Sequence, residues 1–127
     1  MKKYAVIGNP VHHSLSPIIH AQFAEQFGLS ISYEKILSPI GNFAKDSIEF
    51  IDSGGLGFNI TLPYKVNAYE FSNNHTSNAK AAGAVNTIKV ENNKIVGDNT
   101  DGVGLINDFI NNLHQSFEGK EVLIIGA

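Results

Sequence analysis

The chain has 127 residues, is 43% apolar and 17% charged, and carries a net charge of -3 with a pI near 5.9. That is the balance of an ordinary globular domain able to bury a core, with no electrostatic reason to expect nucleic acid or an anionic membrane as partner. The absence of cysteine excludes disulfides and thiolate metal sites.

Residues 4–7 are a continuous apolar run closed by Gly8-Asn9-Pro10, the pattern of a strand buried on both faces. Lys2 and Lys3 precede it, but the run is too short for a signal-peptide core and no stretch approaches transmembrane length, so the expected location is the cytoplasm. A loop with His12, His13, Ser14 and Ser16 follows. Adjacent histidines point apart and no carboxylate cluster accompanies them, so no metal is expected. Ser16-Pro17 predicts a helix start, with serine at the N-cap and proline at the first helical position. Ile19, Phe23 and Phe27 recur on one face of that helix, and Gly28 supplies its stop. Ile31–Leu37 reads as a strand rich in β-branched and aromatic residues. Asn42 is expected to cap a second helix that turns Phe43, Ser47, Phe50 and Ile51 inward and ends at Gly54-Gly55.

Residues 57–65 read Gly-Phe-Asn-Ile-Thr-Leu-Pro-Tyr-Lys. Period 2 places Asn59 and Thr61 on one face of a strand and Phe58, Ile60 and Leu62 on the other, with Pro63 ending it. Lys65 then enters a short helix over residues 64–71. A polar turn at 73–75 leads to another short helix, capped by Thr76 and closed by Gly83. Residues 84–90 and 94–99 read as strands joined by Asn92-Asn93, a two-residue hairpin whose asparagines tolerate positive φ. Val103, Ile106, Ile110 and Leu113 keep helical spacing behind Thr100 or Asp101 as cap. After a polar loop, residues 122–126 form a buried-type strand. The succession predicts an α/β fold: a mostly parallel open sheet with one antiparallel hairpin strand and helices on both faces. A central-type strand at the end leads to the expectation that this is the front part of a longer protein.

In open α/β sheets, ligands bind at the carboxyl ends of the strands. Ser14 and Ser16 follow the first strand; Asn59, Thr61 and Lys65 end the third; Asn86 lies in the fourth; Asn99, Thr100 and Asp101 follow the hairpin. Hydroxyls and amides around one ammonium and one carboxylate suit a small, polyhydroxylated, anionic ligand. Ser14 and Ser16 flank a helix start that favours an anion, although a turn and an N-cap need the same residues. Lys65 and Asp101 are the opposite charges at this rim, fit either to move a proton or to form a surface pair of roughly 0–1 kcal/mol. Gly102-Val103-Gly104 imitates a dinucleotide fingerprint, but its third glycine position is Asn107 and it sits inside a helical pattern. Gly126 follows a buried strand, which is the right context for such a loop.

Four motifs together resemble the signature set of the shikimate dehydrogenase family: Ser14-Leu15-Ser16-Pro17, Asn59-Ile60-Thr61-Leu62-Pro63-Tyr64-Lys65, Gly83-Ala84-Val85-Asn86-Thr87 and Gly97-Asp98-Asn99-Thr100-Asp101-Gly102. The resemblance spans the chain in order. It implies an NADP-dependent oxidoreductase that interconverts 3-dehydroshikimate and shikimate in aromatic amino-acid biosynthesis, as a monomer or homodimer. It implies a substrate-binding domain over 1–101, a connecting helix and loop over 102–120, and at 121–127 the first strand of an NADP-binding Rossmann domain. Ser14 and Ser16 would hold the substrate carboxylate, and Asn59, Thr61, Asn86 and Asp101 the ring hydroxyls. Lys65 would be the acid/base, with Asp101 beside it, and Gly126 and Ala127 would open the NADP phosphate loop. Two departures stand out: Ser77 occupies a position where family members often carry an acidic residue, and a chain without the cofactor domain is expected to be inactive alone.

The nearest alternative is a quinate/shikimate dehydrogenase, against which Asn59, Tyr64 and Asp98 argue. A non-catalytic small-acid-binding module is an alternative of another class. A folate-linked dehydrogenase is a third, disfavoured by the Ser14/Ser16 pair.

Overall fold

The computed structural model describes residues 1–125. Its elements are β1 (Lys2–Gly8), α1 (Ser16–Gln26), β2 (Ile31–Leu37), α2 (Phe43–Asp52), β3 (Gly55–Ile60), α3 (Lys65–Phe71), β4 (Asn74–His75), α4 (Ser77–Ala82), β5 (Thr87–Glu91), β6 (Lys94–Asp98) and α5 (Asp101–Asn111). The strands form one sheet in the order β2-β1-β3-β5-β6-β4. β1 is flanked by parallel neighbours on both sides, which is why its apolar run is continuous: Ala5, Val6 and Ile7 are all buried. β5 alone runs against its two neighbours, so the mostly parallel sheet with one reversed hairpin strand is what forms.

The core lies on the face that presents Ala5, Ile7, Phe58, Ile60 and Ile88. α2, α3 and α4 cover it with Phe43, Phe50, Ala68 and Ala79. Pleating turns the paired residues Tyr4 and Tyr33 to the opposite face, where α1 packs against β2 and β1. Gly28 (φ 63°) and Gly83 (φ 60°) take the left-handed conformation that closes α1 and α4, and Asn92 and Asn93 (φ 50° and 60°) form the hairpin turn. Among the described residues, no helix is long and apolar enough to cross a membrane.

Several expectations are corrected. The N-cap of α1 is Leu15 rather than Ser16, which is the first helical residue, and neither Asn42 nor Thr100 caps its helix through its side chain. The stripe Ile19, Phe23 and Phe27 stays largely exposed, because α1 seats itself on the sheet through Ala24 instead. β3 ends at Ile60, so Leu62 leaves the core face and is 70% exposed. Residues 74–75 are a two-residue strand against β6, not only a turn. Asn86 precedes β5 rather than lying inside a strand. Residues 122–125 form no strand; a strand exists only through its ladder, and none of the six strands pairs with this run. Gly126 and Ala127 lie outside the described residues.

Candidate active site

The reversed direction of β5 decides where the site residues meet. The start of β5 lies beside the end of β3, with Asn59 paired to Thr87, and beside the end of β6, with Thr87 paired to Asp98. Asn59, Asn86 and Asp101 therefore gather at the end of the sheet where β1, β3 and β6 finish. Lys65, first residue of α3, reaches the same place. Its Nζ donates to Asp101 Oδ2 at 2.7 Å.

Asp101 is held from its other oxygen. Asn86 Nδ2 donates to Asp101 Oδ1 and to Thr100 Oγ1, each at 2.9 Å, and Asn86 Oδ1 accepts from the Thr100 amide at 3.0 Å. The Asp101 amide also donates to Asn99 Oδ1 at 3.0 Å. Thr100 does not cap α5 through its side chain because its hydroxyl belongs to this clamp. The Lys65 and Asp101 side chains are 33% and 52% exposed. A pair this wet adds little to stability. The clamp on Asp101 instead fixes where the ammonium sits, which is what a proton-transfer group requires.

From Asn86 the polar chain continues across the sheet. Thr87 Oγ1 donates to Asn86 Oδ1 at 2.9 Å, Asn59 Nδ2 donates to Thr87 Oγ1 at 3.1 Å, and Tyr33 Oη donates to Asn59 Oδ1 at 2.6 Å. Tyr33 stacks on His20 of α1, with ring centroids 4.4 Å apart and planes 10° apart. Burial pushes the Tyr33 phenol up to about 12, against an opposing hydrogen bond from Ser16. Burial also holds the His20 imidazole below its usual value, a hydrogen bond with Asn59 opposing.

Ser14 and Ser16 stand side by side. Ser14 Oγ donates to Ser16 Oγ at 3.1 Å and accepts from the Ser16 amide at 3.3 Å. Thr61 continues past β3, its amide donating to the Ile7 carbonyl at 2.9 Å. A Cβ on Gly8 would lie 2.2 Å from Thr61 Cγ2, so only glycine there lets Thr61 cross the end of β1. Lys65, Asp101, Asn86 and Asn59 thus share one hydrogen-bonded chain that ends at Tyr33, whereas Ser14 and Ser16 bond to each other and the Thr61 side chain is not part of the chain.

Two members of this chain, Tyr33 and Thr87, and the His20 ring stacked on Tyr33 escape a reading of the sequence. Tyr33 passes as a strand-forming aromatic, Thr87 as a strand threonine and His20 as a helix residue. The available signal was the spacing of Ser16 and His20, one turn apart on the same helix face.

A model described as the shikimate dehydrogenase substrate binding domain matches residues 6–88, more than half of the chain. The chain belongs to the shikimate dehydrogenase family. Among curated relatives, the proteins named shikimate dehydrogenase (NADP(+)) from Ruthia magnifica and Chromobacterium violaceum are 54% and 50% identical over 127 and 125 residues. These alignments cover 100% and 98% of this chain but only 48% and 46% of those proteins, so the chain spans about half the length of the curated relatives it matches. Among solved structures, the Ael1 enzyme from Pseudomonas putida superposes with a TM-score of 0.88 at 37% identity, covering 91% of this chain and 42% of that one. The shikimate 5-dehydrogenase of Thermus thermophilus, crystallised in complex with shikimate, gives 0.80 at 36% identity, covering 86% and 41%.

Proposed function

We propose that this chain is the substrate-binding half of an NADP-dependent shikimate dehydrogenase, which reversibly reduces 3-dehydroshikimate to shikimate for aromatic amino-acid biosynthesis. In this reading, residues 1–101 bind substrate, 102–120 connect, and 121–127 open a Rossmann domain whose phosphate loop begins at Gly126 and Ala127. The observation that carries the proposal is the Lys65–Asp101 pair, clamped by Asn86 at the carboxyl end of the sheet.

Ser14 and Ser16, two adjacent hydroxyls beside the start of α1, are suited to a carboxylate. Asn59, Thr61, Asn86 and Asp101 would meet the ring hydroxyls. In the direction of reduction, Lys65 gives a proton to the ketone oxygen as the carbon becomes an alcohol, and water then reprotonates the amine; oxidation runs the same steps backward. The donor set fits this division of labour. The chain's side chains hold and move protons but offer nothing that accepts or gives a hydride, which NADP supplies when bound. The enzyme would work in the cytoplasm, as a monomer or homodimer, on a small acid rather than on nucleic acid or membrane.

In the full-length enzyme, Lys65→Ala is expected to lower kcat by about 10²–10⁴ with a much smaller change in KM. An unchanged kcat would remove Lys65 from the chemistry. Titrating shikimate against quinate in the same preparation separates this enzyme from a broader quinate/shikimate dehydrogenase.

A further inference from the structure

The hydrogen-bonded chain from β2 to Asp101 has a direction. A side-chain amide accepts only at oxygen and donates only at nitrogen, and a threonine hydroxyl has one hydrogen to give. Each member therefore constrains the next. The Asn59 amide nitrogen gives to Thr87, Thr87 gives to Asn86 Oδ1, and the Asn86 nitrogen gives to Asp101.

The two asparagines are not fixed in the same way. Asn86 Oδ1 accepts from the Thr100 backbone amide, a donor that cannot reverse. No backbone donor does this for Asn59. Its nitrogen has the Asn86 carbonyl as a long partner at 3.4 Å, and its oxygen has the Tyr33 hydroxyl at 2.6 Å. Tyr33 is the short anchor. It is itself held in place by its stack on His20.

We propose that Tyr33 is a positioning residue: the two Asn59 Nδ2 hydrogens go to Thr87 and the Asn86 carbonyl, and by donating to Asn59 Oδ1 Tyr33 holds that oxygen in place with its second lone pair left to accept from a ligand hydroxyl. This rests on the reading above of Asn59 as a ring-oxygen contact. Burial keeps the phenol protonated through and beyond neutral pH, so the donor is always present. Without it, the amide keeps its partners at nitrogen but loses the short bond at oxygen, and a ligand hydroxyl meets an acceptor that is no longer held in place. Asn86 keeps its own anchor, so the Lys65–Asp101 clamp survives. The loss falls on binding rather than on the proton-transfer step.

Tyr33→Phe keeps the ring and its stack while removing the hydroxyl. In the full-length enzyme, it is expected to raise KM for shikimate about tenfold and lower kcat less than threefold. Placed in an Asn59→Ala background, the same substitution is expected to add nothing to KM. An unchanged KM in the single variant would overturn the proposal, as would an equal effect with Asn59 already removed. A second measurement does not depend on the enzyme reading. In the 127-residue chain, Tyr33→Phe is expected to shift the Asn59 side-chain amide resonances while those of Asn86 stay in place, and unmoved Asn59 resonances would overturn it. A silent Lys65→Ala variant sinks the functional reading and leaves that spectrum untouched.

Discussion

Asn59 was legible as a polar residue at a strand end and Asn86 as one within a strand, but their protein partners were not. Both amides are already engaged by the fold, Asn59 through Tyr33 and Thr87, Asn86 through Thr100 and Asp101. Position along a strand predicts which way a side chain points; it does not predict which neighbour two strands away will claim it. The same neighbourhood has a signature in pH. His20 is held below 6.5, so the folded chain binds fewer protons there than the unfolded chain just below that value. Stability therefore rises with pH up to about 6.5 and is lost as His20 is forced to charge on acidification. Tyr33 has the opposite sense at the alkaline end. Its stabilising neutral form is present below 10 and is lost as pH rises from 10 towards about 12. Urea titrations across pH are expected to show His20→Gln flattening the acidic slope and Tyr33→Phe flattening the alkaline one. A wild-type acidic slope that persists in His20→Gln would assign it to another group.

Among elements, those whose signals are local formed as read. The hairpin rests on two asparagines at positive φ, and α4 on Thr76 at one end and Gly83 at the other. Thr76 Oγ1 accepts from the Ala79 amide at 3.2 Å and gives its hydrogen to Asp98 Oδ1 at 2.5 Å, tying the start of α4 to the end of β6. Thr76→Ala is expected to cost about 1 kcal/mol, typical of a lost N-cap, and somewhat more because Asp98 loses a donor. A urea midpoint equal to that of the wild type would show the cap to be dispensable. Elements whose existence depends on a distant partner were the ones misread. β4 is two residues long and is a strand only because β6 lies alongside. The run at 122–125 carries stronger strand propensity yet forms none, because propensity does not supply the ladder.

On the scale of the whole molecule, burial divides the chain into a cooperative sheet and a poorly supported helix. β1, β3 and β5 carry Ile7, Phe58 and Ile88 into one core at 0–3% exposure. α5 has eleven residues and none of them is buried; Val103, Ile106 and Ile110 are 44–50% exposed despite their helical spacing. A helix that short is marginal in water unless a packed face holds it. α5 is anchored at its first residue, Asp101, through Asn86 and Lys65. Hydrogen exchange of the 127-residue chain is accordingly expected to rank the amides of β1 and β3 as most protected and those of α5, beyond its first turn, as nearly unprotected. Substitution gives the same contrast. Ile88→Ala, in the core, is expected to cost about 2–5 kcal/mol, whereas Ile106→Ala is expected to stay within about 0.5 kcal/mol. Comparable costs at the two positions, or α5 amides as protected as those of β1, would show that α5 belongs to the cooperative unit and that the stripe it exposes has a partner within residues 1–125.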